Sequence, residues 1–372
     1  MGRKGFLLGI VLVAILCSGC WDVDEINKRA TVLAFGFDAT PEGQLRVSAQ
    51  IPVMLEIGSR VAGGGISAKP FRVFTGDSKT TFGATPYLQT KSGKSLFFGQ
   101  LKVIVISAAL AEEGLKSAID FLARHPMIPP QATILLTKGS AHEIIATPIG
   151  AQEIPSLMIV NFQRSTSKGD LAYPMELWRF EKAVTVGRED AFLPFIALDR
   201  EGEGYTIEGA GVFHRDRLVG ELTDIETRMF GLLSGRVSNA YPSISVAEFG
   251  ELTFRNVTAD SKIRALVSGE EIEFFIKVRA GGFLVEVTTG KHDFKVSDIE
   301  LIREKAEKTI KNELVKTMEH LQSLGSDVLG FGNILRATHP EIWRRINWEE
   351  EYPKVRVRID FKFQVSRIGT YR

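Results

Sequence analysis

Cysteine is nearly absent: the 372 residues carry two, Cys17 and Cys20. That excludes a disulfide-stapled scaffold and a structural zinc site built on four cysteines. No apolar run reaches the ~20 residues that a helix needs to span a bilayer. Neither sign of charge is in excess, since 46 Lys+Arg stand against 45 Asp+Glu for a net charge of +1. Broad electrostatic attraction to nucleic acid is therefore not expected, a local basic patch aside, and no nucleic-acid partner is predicted. Six histidines are scattered along the chain, and no internal repeat or low-complexity block is visible. What is present is ordinary for a globular protein: 44% hydrophobic and 24% charged residues. At roughly 100–200 residues per domain, the length predicts two or three domains.

Both cysteines lie within the first twenty residues. Arg3 and Lys4 precede an apolar run over 6–16, too short to span a membrane and of the length of a secretory signal core. The run ends in Leu16-Cys17-Ser18-Gly19-Cys20. Small residues directly before a cysteine resemble a bacterial lipobox, in which the thiol of Cys20 receives a diacylglyceryl group and cleavage before it frees an amine for N-acylation. Cys17 stands where Leu is usual. The alternatives are an uncleaved signal anchor or a conventional signal with an A-x-A-like site. Removing residues 1–19 leaves 353 residues, with 44 cations against 45 carboxylates and a net charge of −1. Lipid chains, two or more of them, then supply the stable membrane anchor, because one myristoyl-length chain binds only marginally. The remainder is expected to lie outside the membrane.

Motifs for catalysis are looked for and not found. His142-Glu143-Ile144-Ile145-Ala146 begins like H-E-x-x-H, but Ala146 cannot be the second zinc ligand. Gly93-Lys94-Ser95 mimics the end of a P-loop, but Leu88 stands where the first glycine is required. Gly209-Ala210-Gly211 lacks a third glycine and reads as a strand-end bend. No G-x-S-x-G elbow occurs. The chain is read as not an enzyme, with no catalytic, cofactor-binding or metal residue. Cys20 is the one predicted site, for covalent lipid.

The periodicities predict an α+β protein of three mixed α/β domains, each with a mainly antiparallel or mixed sheet flanked by helices, behind a lipoprotein signal peptide. The boundaries are a signal peptide over 1–19, a lipidated linker over 20–29, an N-terminal domain over 30–186, a small middle domain over 187–240 and a C-terminal domain over 241–372. Strands over 30–37 and 45–53 should form a hairpin. A helix is expected over 78–90, shortened or kinked by Pro86. Residues 97–107 read as a central strand, and 110–124 as one helix with Leu115, Ile119 and Leu122 on a stripe. Thr223 and Glu226 form a capping box. Four strands are expected between 244 and 288. A long helix over 297–324 follows, with a stripe from Ile299 through Ile302, Ala306, Ile310, Leu314 and Met318 to Leu321. The last strand, 355–365, alternates an apolar face with a mostly basic one carrying Arg356, Arg358 and Lys362.

Several segments resemble the C-subunit lipoprotein family of bacterial spore nutrient germination receptors. They are Trp21-Asp22 after the lipid cysteine, Glu25-Ile26, residues 95–104 (SLFFGQLKVI) and residues 121–126 (FLARHP). Residues 153–157 (EIPSL), 209–220 (GAGVFHRDRLVG) with Glu226-Thr227, and 326–332 (SDVLGFG) before Pro340, Trp343 and Trp348 complete the set. Gln100 stands where members often have His, and Pro86 departs from the usual pattern. The resemblance implies three α+β domains tethered to the outer face of the spore inner membrane. It implies assembly with a membrane-embedded A subunit and a transporter-like B subunit, in a complex that answers nutrients by starting germination. On that reading the chain is a non-catalytic scaffold or coupling subunit. The alternative is a lipid-anchored extracytoplasmic protein that captures the germinant itself.

Overall fold

The computed structural model describes residues 28–53, 70–149, 154–166, 173–186, 189–238, 240, 242–269, 271–288 and 296–365. The signal segment and all but the last residue of the flexible loop expected over 58–70 lie outside them.

The N-terminal half begins with a change of sheet. Strand β1 (Arg29–Thr31) pairs parallel with β5 (Ser95–Phe97). Val32 N then bonds Phe97 O, and Leu33 N bonds Gln50 O, both at 2.9 Å. The chain thus passes into a second sheet, and the single strand expected over 30–37 is two. Strands β2 (Ala34–Ala39) and β3 (Leu45–Pro52) form the predicted antiparallel hairpin, from Ala34↔Gln50 to Ala39↔Leu45. Strand β4 (Phe71–Ser78) adds to β3.

Helix α1 (Thr81–Ser92) is capped by Thr80, whose hydroxyl accepts from Gly83 N. Pro86 lies inside it and does not end it. The carbonyl that loses its usual donor, Phe82 O, takes the Thr85 hydroxyl at 2.6 Å instead. The expected strand over 97–107 is interrupted by a turn, with Leu101 N on Phe98 O at 2.9 Å. Its second part, β6 (Val103–Ser107), is buried at every residue and lies between two parallel neighbours, β2 and β7 (Thr133–Thr137). That is the burial expected of an apolar strand covered on both faces. The helix expected over 110–124 is broken at Gly114 (φ +112°) into α2 (Ala108–Glu113) and α3 (Lys116–Arg124). Leu115, Ile119 and Leu122 are buried as predicted.

Helices α4 (Ala141–Ala146) and α5 (Pro155–Thr166) follow, then β8 (Met175–Glu176) and α6 (Leu177–Val186). Strands β9 (Phe192–Leu198), β10 (Tyr205–His214) and β11 (Arg217–Leu222) continue the same sheet. The order is β11-β10-β9-β7-β6-β2-β3-β4, with β8 beside β7, nine strands in all. Residues 187–240, expected as a small middle domain, therefore place three strands in the sheet begun by residues 30–186. Strands β7 and β9 share a single register pair, Leu136↔Phe195. Alternation divides the core: Val103 and Val105 pack with α4 residues Ile144 and Ile145 on one face, and Ile104 and Ile106 join the larger core on the other.

Helix α7 (Asp224–Ser234) starts at the predicted capping box of Thr223 and Glu226. The sequence predicts four strands over 244–288; the chain folds as β12 (Ser243–Val246), β13 (Gly250–Ser268) and β14 (Glu271–Val287). Bulges carry β13 through its polar middle, where Asn256 has φ +53° and the register shifts between Arg255 and Thr258. The long helix α8 (Val296–Ser323) packs on this sheet, with Ile302, Ala306, Ile310, Leu314, Met318 and Leu321 all buried. Short helices α9 (Phe331–Thr338), α10 (Pro340–Trp343) and α11 (Trp348–Glu351) lead to β15 (Arg356–Val365), parallel to β14 at the sheet edge. The architecture is mixed α+β, with sheets flanked by helices.

Candidate functional site at the junction of the two sheets

The segment Ser326-Asp327-Val328-Leu329-Gly330-Phe331-Gly332 leaves α8 through Gly325 (φ +67°) and turns against the β10–β11 hairpin. The Ser326 hydroxyl donates to Phe213 O at 2.5 Å, and the Tyr352 hydroxyl donates to Ser326 O at 2.8 Å. Asp327 is buried. Its carboxyl accepts from Phe331 N at 2.8 Å, Gly332 N at 2.7 Å and the Trp348 indole Nε1 at 3.1 Å. Burial pushes this carboxyl up to about 7, with the charge of Asp190 adding to the rise and the three donors opposing it.

Asp190 comes from the loop between α6 and β9. Its carboxylate accepts from Asp327 N at 2.9 Å and Arg215 N at 3.0 Å, and lies 3.4 Å from His214 Nδ1. That contact raises the His214 imidazole above its ordinary value. Arg215, in the left-handed region at φ +57°, forms an ion pair with Glu349. These groups line a recess of about 50 Å³.

Two further features complete the junction. Phe331 stacks on Phe274 of β14 at 4.3 Å, with rings nearly parallel. His320 of α8 lies 2.7 Å from Glu226 of α7. Burial alone would raise the Glu226 carboxyl, but Thr223 and His320 hold it below its ordinary value. The acids, indole and hydroxyls of this cluster are thus spent on one another and on backbone, and their chemistry is that of a clasp.

The predicted site residue, Cys20, lies outside the described residues. The motif fragments set aside have local roles. Gly93 is the left-handed cap of α1, and Gly209 (φ +74°) lies at a bulge in β10, with Leu222 O too close for any side chain. His142 Nδ1 sits 3.1 Å from Ser48 Oγ. Among the described residues, no group of three or more His, Cys, Asp or Glu is placed to hold a metal ion. Also among them, no helix is long and apolar enough to cross a membrane.

Four of the segments that carry the sequence resemblance meet in pairs. Phe98 of the 95–104 segment packs edge-on to His125 of the 121–126 segment at 4.8 Å. Segments 209–220 and 326–332 form the clasp itself. Sequence reasoning missed Asp190, near the start of the expected middle domain over 187–240, and missed that Asp327 faces it.

Two family profiles together match most of the chain. Residues 22–198 match the profile of the spore germination protein N-terminal domain, and residues 208–369 match that of the spore germination B3/GerAC-like C-terminal domain. The chain is 26% identical to YfkR of Bacillus subtilis (strain 168), over 94% of this chain and 92% of that protein. It is 22% identical to spore germination protein B3 of the same organism, over 98% of each. Among solved structures, the crystal structure of the GerBC protein matches with a TM-score of 0.59 at 17% identity, over 90% of this chain and 97% of that one.

Proposed function

The chain belongs to the C-subunit family of spore germinant receptors, and from that premise we propose that it is a non-catalytic scaffold or coupling subunit, anchored by lipid on Cys20. The observation that supports the reading is the clasp. Asp190, in the loop before β9, accepts from Asp327 N, and the Ser326 hydroxyl donates to Phe213 O of β10, while Trp348 and Tyr352 hold the 326–327 turn from the C-terminal side. A body joined in this way passes a displacement at one sheet to the other, as a coupling subunit requires.

The partners proposed are the membrane, through the lipid, and the A and B receptor subunits. The location proposed is the outer face of the spore inner membrane. Confinement there would raise the effective concentration of the subunit beside its partners without any new contact.

The experiment is Cys20→Ala in spores, followed by lipid labelling, membrane fractionation and germination rate. Loss of label, release from the membrane fraction and slowed germination are expected. Normal retention and normal germination would overturn the anchor. Calorimetry of the purified chain with uncharged candidate nutrients, sugars and nucleosides, tests the coupling role separately, because micromolar binding would instead make it a germinant-capture protein.

A further inference from the structure

A second cavity opens on the other side of Asp190, with a volume of about 380 Å³. It lies between α6, the loop at Glu189–Ala191, Arg236 at the end of α7, and α9. Four cations from three separate elements line it: Arg179 and Lys182 on α6, Arg236, and Arg336 on α9. Two carboxylates, Glu189 and Asp190, share the lining, and Glu176 pairs with Arg179 at 3.5 Å, so four cations face three acids and Lys182 and Arg336 are left over. Asp190 is occupied by the Asp327 and Arg215 amides. Glu189 meets Arg236 only at 3.7 Å.

The cations are incompletely satisfied by the protein. The Arg236 guanidinium lies over the rings of Phe192 and Phe230, at 5.5 and 5.7 Å. The desolvation that comes with this seat lowers its proton affinity. The Arg336 Nε is buried and has no hydrogen-bond partner. Among the described residues, no carboxylate pairs with Lys182 or Arg336. Beside these charges and Asn333, the lining includes an apolar wall of Met175, Trp178, Ala183 and Val186. A guanidinium fork suits carboxylate or phosphate oxygens, and an apolar wall suits a carbon skeleton.

We propose that this cleft is a binding site for a small organic anion, a carboxylate or phosphate ester, held between α6 of one half and α9 of the other. The ligand would neutralise Arg236 and Arg336 together and so tie the halves at a second point beside the clasp. This assignment stands apart from the anchoring and coupling roles, since neither requires a ligand.

The test is calorimetric titration of the purified full chain in detergent, with citrate and with inorganic phosphate as probes in a chloride buffer. Saturable one-to-one binding of at least one probe is expected. Lys182→Gln, on the exposed side of α6, should weaken it about threefold, and Arg336→Gln about tenfold or more, as for loss of a charge-assisted bond. The control is Lys262→Gln with Arg264→Gln, which removes charge from the outer face of the C-terminal sheet. That control should leave affinity within about twofold. Absence of saturable binding by both probes overturns the proposal. So does equal weakening by the control, because attraction would then be a property of net charge and not of the cleft. If Arg336→Gln does not fold, the Lys182 variant and the control still decide between these outcomes.

Discussion

The amide of Asp327 donates to Oδ2 of Asp190 at 2.9 Å, while the Asp327 carboxyl is buried beneath three donors of its own half. One residue thus closes its own turn with its side chain and binds the loop before β9 with its backbone. Replacing that side chain leaves Phe331 N, Gly332 N and the Trp348 indole without an acceptor. Asp327→Ala should lower stability by about 3 kcal/mol, the scale for buried donors left unsatisfied. Urea denaturation followed by tryptophan fluorescence measures it, and a loss under about 1 kcal/mol would contradict the clasp.

The same residue gives a pH dependence with a definite sign. The Asp327 carboxyl is at about 7 when folded and 3.8 by its ordinary value. The folded state therefore holds the proton more tightly, and this contribution is complete below about pH 4 and lost as pH rises through about 7. His214, raised above 6.5, acts in the same direction, its contribution fading as pH rises through its folded value. The carboxylates held low, Glu226, Asp77 and Asp360, lose their contributions only in the acid range, as pH falls through their folded values. Thermal midpoints should accordingly fall between pH 6 and pH 8. Asp327→Asn should flatten most of that slope, and a midpoint rising over the interval would refute the assignment.

Glycine is required at 332 for space. A Cβ there would stand 2.7 Å from Trp348 Nε1, the atom that donates to Asp327. Gly332→Ala should cost roughly 1–3 kcal/mol through displacement of the indole. Gly325→Ala meets nothing within 4 Å and should cost only the ~1 kcal/mol of a left-handed backbone. Near-ultraviolet circular dichroism separates the two, because only the first should change the tryptophan signal.

Glu226 joins two tasks, closing the cap of α7 and meeting His320 of α8. Glu226→Ala should destabilise by about 1–2 kcal/mol, more than the loss of a cap alone. A double-mutant cycle with His320→Ala isolates the bridge. A coupling energy near zero would reduce Glu226 to a local cap.

Local patterns were readable wherever they answered to a local cause. The β2–β3 hairpin, the Thr223–Glu226 box, the buried stripe of α8 and the two-faced β15 all followed from spacing alone. Breaks decided by distant partners were not readable. Val32 leaves its strand because Phe97 O waits for it, and β13 continues through Asn256 because β14 pairs beyond the bulge. Pro86 survives in α1 because a neighbouring hydroxyl replaces the missing donor. Of the clasp, segment 326–332 was visible as a family resemblance, but its partner Asp190 lies 137 residues away, and no periodicity encodes that separation.

The single register pair between β7 and β9 has a mechanical consequence. A sheet resists shear through its rows of hydrogen bonds, and here one row is almost missing. The two parts of the sheet are held together across that line chiefly by the shared cores and by links such as Leu115 N to Asp216 O at 2.9 Å and the Lys138–Glu221 ion pair. The thinnest backbone pairing of the larger sheet thus lies in its interior, where side chains and not the ladder carry the join.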